Sequence, residues 1–181
     1  MVRTSKLLIA FISALTLGSA AGPVNIWLDV PFVKQPREGC GAAAIAMVIQ
    51  YWMAHGAPRA SAPVDVEAIQ QALHSDRARG AFAADVARYF QQAGFRTFAF
   101  RGSWADLQQH LAEGRPVIVG IGPDGRSRAL HYLVVTGLDQ NIVLVNDPAR
   151  RKLLKLRRSD FETAWKATDN WTLLALPQEV H

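Results

Sequence analysis

The sequence predicts a segregated α+β domain, and three patterns carry that prediction. An alanine-rich, almost wholly apolar run at 41–51 is too long for a strand and fits a helix buried on all sides. Two shorter stretches of helical periodicity follow before any strand-like segment. The second half then supplies short strand-like segments between turn residues, the first of them alternating, as the strands of a sheet do.

The elements follow in order. After the first helix, opened at Cys40, Pro58 and Pro63 interrupt, and Asp65 signals a new start for a helix carrying Val66, Ile69, Gln70 and Leu73. The next helix spans 82–93, with Val86, Tyr89 and Phe90 on one side and Gly94 ending it. Residues 95–100 read as a strand with Phe98 and Phe100 two apart. Ser103 and Asp106 form a capping box for a helix bearing Trp104, Leu107 and Leu111, closed by Gly114. Residues 116–121 read as a buried strand, and 122–128 as a polar loop. A hairpin follows, its strands at 129–137 and 142–146 joined through Leu138-Asp139-Gln140-Asn141. Residues 153–156 predict another strand, Ser159 with Glu162 a second capping box ahead of Trp165, and 171–176 a last strand.

The N-terminus bears on compartment. Arg3 and Lys6 precede an apolar run at 7–17 and then Gly18-Ser19-Ala20-Ala21, the three parts of a secretory signal peptide. The expected boundaries are a signal at 1–21 and one domain at 22–181, working outside the cytoplasm, periplasmic or secreted. The apolar run falls short of the roughly 20 residues of a membrane span. Cleavage would remove two of the 20 basic residues and none of the 15 acidic ones, lowering the net charge from +5 to +3. So mild a charge by itself argues for neither nucleic acid nor an anionic membrane surface, and no nucleic-acid partner is expected. A monomer of roughly 160 residues, enough for a real core, is expected.

Cys40 is the only cysteine, so no disulfide within the chain can use it. Inert packing, metal binding and chemistry remain as reasons for it. In an exported chain a lone thiol invites oxidation, and its retention points to a use. Gly39 and Gly41 flank it at a loop-to-helix junction, where unpaired N–H groups and the helix dipole favour an anion such as a thiolate.

A nucleophilic thiol needs a base, a group to orient the base, and donors for an oxyanion. His131 lies on the first hairpin strand and Asp147 follows the second. If Gly137 pairs with Asn141 across a three-residue loop, His131 falls opposite Asp147, with Cβ atoms about 4.5–5.5 Å apart. A two-residue loop shifts Asp147 by one position. Gln35 precedes Cys40 by five residues, and its side-chain amide with the Cys40 backbone N–H supplies two donors, Pro36 stiffening the turn between them.

Each of these residues also has a plain structural reading. Cys40 alone would be a packed thiol, His131 a core histidine, Asp147 before Pro148 a turn residue, and Gln35 a solvated loop residue. A zinc site from Cys40, His131 and Asp147 would lack any two ligands at short spacing, so no metal or other cofactor is expected. His55, His74, His110 and His181 read as surface residues, and Trp52, Trp104, Trp165 and Trp171 as core. Arg150, Arg151, Lys152, Lys155, Arg157 and Arg158 read as a solvated strand face, with contact to an acidic substrate as the alternative.

Three motifs in this order, Gln35 to Cys40-Gly41 opening an alanine-rich helix, His131-Tyr132-Leu133-Val134-Val135, and Asn146-Asp147-Pro148, carry a resemblance. Over residues 30–149 the chain resembles the bacteriocin-processing, double-glycine leader peptidases of the papain-like cysteine peptidase superfamily. The resemblance implies a papain-like fold, a helical half with the nucleophile helix followed by an antiparallel sheet. It implies Cys40 as nucleophile, His131 as base and acid, Asp147 as orienter and Gln35 as oxyanion donor. A peptide or protein substrate would be cut through a thioester on Cys40, and a neighbouring transporter or secretion system is the implied partner. Two features depart from the family pattern. Ala42 stands where members usually have proline. The best-known members are cytoplasmic domains fused to an ATP-driven exporter, so leader cleavage before export does not carry over to a chain with an export signal. Two rival readings stay open: an amidase or transpeptidase using the same acyl-enzyme, and a domain that binds a peptide without cutting it.

Overall fold

The computed structural model describes residues 25–73, 81–122 and 130–178. The expected signal segment, most of the polar loop, Ala129, His74 and His181 lie outside them. Five helices are described: α1 (Cys40–Ala54), α2 (Val66–Leu73), α3 (Ala83–Gln92), α4 (Trp104–Ala112) and α5 (Arg158–Lys166). The strands are β1 (Ile26–Trp27), β2 (Phe95–Arg101), β3 (Val117–Ile121), β4 (His131–Leu138), β5 (Ile142–Asp147), β6 (Arg151–Arg157) and β7 (Trp171–Pro177). They form one antiparallel sheet in the order β2-β7-β3-β4-β5-β6, with β1 pairing the far end of β4.

Period-two alternation divides the sheet's side chains between two helical layers. Ile118, Tyr132, Val134, Leu173 and Ala175 pack with α1, α2 and α3 in one cluster. Their strand neighbours Val117, Val119, Leu133, Val135 and Leu174 pack with Leu107 and Leu111 of α4 and Phe161 and Trp165 of α5 in a second cluster. Both faces of β3 and β4 are therefore covered, which explains why these strands are apolar almost throughout. Helix α1 is the central element of the first layer, buried continuously from Cys40 to Ile49.

Most predicted elements form within a residue or two of their expected ends. The Ser103–Asp106 capping box is present, and Gly94 and Gly114 follow their helices at φ +91° and +72°, a backbone region that favours glycine. The second capping box is not. Helix α5 begins at Arg158 with Arg157 as its cap and no side-chain cap bond, so Ser159 already lies inside the first turn. Its start is held instead by Arg157 to Asp160 at 2.9 Å and Arg158 to Glu162 at 2.8 Å. In β2, Phe98 is exposed and Phe95, on the other face, enters the core.

The hairpin register also differs from expectation. Gly137 pairs with Leu144 and Val135 with Val145, so Thr136 is an extra residue on β4. Its buried hydroxyl donates to the Leu144 carbonyl at 3.3 Å. Gly137 is also the partner of Trp27 in β1, and a Cβ there would lie 2.7 Å from the Ile26 carbonyl oxygen. The bulge and the docking of β1 thus meet at one residue that must be small.

Candidate active site

Cys40 opens α1 after a four-residue turn closed by Gly39 N–H to the Pro36 carbonyl at 3.0 Å. Glu38 within this turn has φ +56°, strained for a residue with a side chain. Gln70 of α2 donates to the Arg37 carbonyl at 2.6 Å and braces the turn from outside. A Cβ on Gly39 would meet Pro36 at 2.8 Å, and one on Gly41 would meet Ala81 at 3.1 Å and the Tyr132 ring at 3.4 Å. Close packing thus imposes the glycine before the thiol and leaves little room for a side chain after it. No acidic side chain occupies the first turn of α1 and none caps it. The N-terminal N–H groups and dipole are left to act on the sulfur.

His131 and Asp147 do come together, by a route other than the expected one. With Val134 paired to Asn146, the strand register sets Asp147 level with Leu133, two residues from His131. The contact is diagonal. His131 Nε2 lies 2.8 Å from Asp147 Oδ1, within hydrogen-bond range even across a diagonal. Asp147 is buried, and the same oxygen accepts the Ala149 N–H at 3.0 Å in the turn after β5.

With Nε2 engaged, Nδ1 is the ring nitrogen left for the thiol. The thiol's hydrogen bond to backbone runs to the Leu130 carbonyl, one residue before His131, at 3.9 Å. Burial alone would lower the His131 pKa. Hydrogen bonds to Asp147 and Cys40, reinforced by the charges of both, outweigh it and raise the value from 6.5 to about 9. His131 is thereby favoured as an imidazolium at neutral pH. Burial also pushes the Tyr132 phenol up, with the Cys40 and Asp85 charges adding to it.

Gln35 is half-buried on the segment before the turn, and its Oε1 is buried without a hydrogen-bond partner among the described residues. A buried acceptor left open in this way is uncommon away from functional sites. Its backbone N–H donates to the Pro148 carbonyl at 3.0 Å, tying the Gln35 segment to the residue after Asp147.

Among the other predicted residues, Trp165 is fully buried, whereas Trp52, Trp104 and Trp171 are half-buried against the core. His55 is exposed as expected, but His110 buries an Nδ1 that has no hydrogen-bond partner among the described residues. Among the described residues no three His, Cys, Asp or Glu side chains are placed to hold a metal ion. Sequence reasoning missed Gln70, whose signal was faint: one polar residue on the inner side of an amphipathic helix.

The chain is similar to the peptidase domain of Streptococcus ComA, a bi-functional ABC transporter involved in quorum sensing, at TM-score 0.64 and 21% identity over 81% of this chain and 98% of that one. It is similar to a double glycine motif protease from an AMS/PCAT transporter, solved with the leader peptide, at TM-score 0.63 and 21% identity over 86% and 98%. It is also similar to the peptidase domain of Streptococcus mutans ComA, at TM-score 0.58 and 19% identity over 81% and 98%. At such identities the likeness carries the papain-like fold. No curated protein matches the chain. The family's sequence profile matches residues 27–172, which include Gln35, Cys40, His131 and Asp147, and the chain therefore belongs to the Peptidase_C39 like family.

Proposed function

We propose that this protein is an exported cysteine peptidase that cleaves a peptide bond through a thioester on Cys40. The observation that carries the reading is His131, held by Asp147 through Nε2 and acted on by Cys40, with its pKa raised to about 9. The thiolate attacks the scissile carbonyl, forming the C–S bond, and the carbonyl electron pair moves to oxygen. Gln35 and the Cys40 N–H receive that charge. The His131 imidazolium then gives its proton to the amine as the C–N bond breaks. Neutral imidazole next takes a proton from water, which displaces the thiol and releases the acid. Asp147 keeps the ring oriented throughout.

The family supports a peptide substrate, and the transporters to which the similar peptidase domains belong support a transporter or secretion system as neighbour. The Arg3, Lys6 and 7–21 pattern supports export, checked by whether the protein recovered outside the cytoplasm begins near residue 22.

The reaction is tested by acid-quenched intact-mass spectrometry during cleavage of a peptide library. The expected result is an acyl adduct on Cys40 matching the N-terminal fragment of a cleaved peptide. Cys40→Ala should show neither adduct nor cleavage and melt close to the wild type, because the change opens little space. Peptide retention without adduct or cleavage would make the protein a binding domain, and transfer of the acyl group to an added amine in preference to water would make it a transpeptidase.

A further inference from the structure

We propose that Asn146, the residue beside Asp147, is the positioning residue that sets the Gln35 arm against the rest of the site. This rests on the peptidase reading and adds to it a residue that touches neither the thiol nor the base. Asn146 is fully buried. Its Nδ2 donates to the Val30 carbonyl at 3.1 Å and the Pro31 carbonyl at 3.3 Å, on the segment leading to Gln35. Its Oδ1 accepts the Leu153 N–H at 3.0 Å. Two carbonyls on one side and an N–H on the other fix which way the amide points.

The Leu153 contact explains why an amide is needed. Between the pairs Val145–Leu154 and Asp147–Arg151, β5 supplies one residue and β6 supplies two, Lys152 and Leu153. Leu153 takes φ +51° in this bulge, and its N–H leaves the strand ladder. Asn146 satisfies that N–H and reaches the Gln35 segment with the other end of the same group. Farther along, the Gln35 N–H reaches the Pro148 carbonyl at 3.0 Å. The segment is therefore pinned to the end of β5 on both sides of Asp147, and a shift of Val30 and Pro31 would carry Gln35 with it. A one-ångström displacement of such a donor costs on the order of 100-fold in rate.

Two probes separate positioning from general damage. Alkylation of Cys40 by iodoacetamide forms no oxyanion. The aldehyde acetyl-Leu-Gly-glycinal adds to Cys40 so that its carbonyl oxygen becomes the oxyanion. Asn146→Ala should weaken aldehyde binding and lower kcat by about 10- to 100-fold, with KM and the iodoacetamide rate nearly unchanged. The double variant with Gln35→Ala should lose no more than Gln35→Ala alone, because Asn146 acts through Gln35. Asn146→Asp, which keeps the size and the acceptor for Leu153 but loses the donors when ionised, should reproduce the loss and serves if the alanine variant does not fold. Additive losses in the double variant, a parallel fall in iodoacetamide rate, an unaffected Asn146→Asp protein, or failure of both variants to fold would each overturn the proposal. A wild-type protein that neither cleaves peptides nor binds the aldehyde would overturn the peptidase reading itself, and this proposal with it.

Discussion

His131 concentrates the physics of the site in one ring. Its pKa of about 9 in the fold, against 6.5 unperturbed, means the folded state favours the imidazolium. The stabilisation this provides is complete below about pH 6.5 and is lost as pH rises through about 9. Thermal melts between these limits should show a falling Tm in the wild type and a flatter profile in His131→Gln. The alkaline limb of kcat/KM should lie near the same value, with the apparent constant belonging to the Cys40–His131 pair. Gln35 is tested apart from that pair. Gln35→Ala should lower kcat on the order of 100- to 1,000-fold with little change in KM, while alkylation of Cys40 continues. Turnover at the wild-type rate would reduce Gln35 to a loop residue.

The hairpin shows what the sequence disclosed and what it withheld at the level of elements. That a His strand and an Asp strand lie side by side was legible from two apolar runs, at 129–137 and 142–146, around a polar turn. The register was not, because it depends on Thr136 bulging out of the ladder where β1 docks on Gly137, a contact made from more than a hundred residues away. Gly137→Ala should accordingly destabilise the protein by about 1–3 kcal/mol, read as a lower midpoint in urea, because the added methyl meets the Ile26 backbone. A neutral effect would mean that β1 can move away at no cost. The two capping boxes teach the same lesson. Ser103 forms its box, whereas at Ser159 the helix starts two residues earlier, with the charged pairs of Arg157 and Arg158 at its first turn.

Across the whole molecule, the division into a helical half and a sheet half was readable, and so was the thiol at the head of a buried helix. The second helical layer was less visible, since α4 and α5 are interspersed among the strands and their common face emerges only when the sheet is assembled. That assembly sets the start of β4 against the N-terminus of α1, so that residues 91 positions apart, Cys40 and His131, act on each other. Asn146 went unread for a related reason: a polar residue next to a candidate aspartate looks like part of the turn until its three backbone partners are in place. The central claim is that Cys40 and His131 form a reactive pair. Its most direct test is the rate of Cys40 alkylation by iodoacetamide from about pH 5 to 10, in the wild type and in His131→Ala. The pair predicts selective alkylation of the wild type already at mildly acidic pH, and loss of that acid-side reaction in the variant. Superimposable profiles for the two proteins would contradict it.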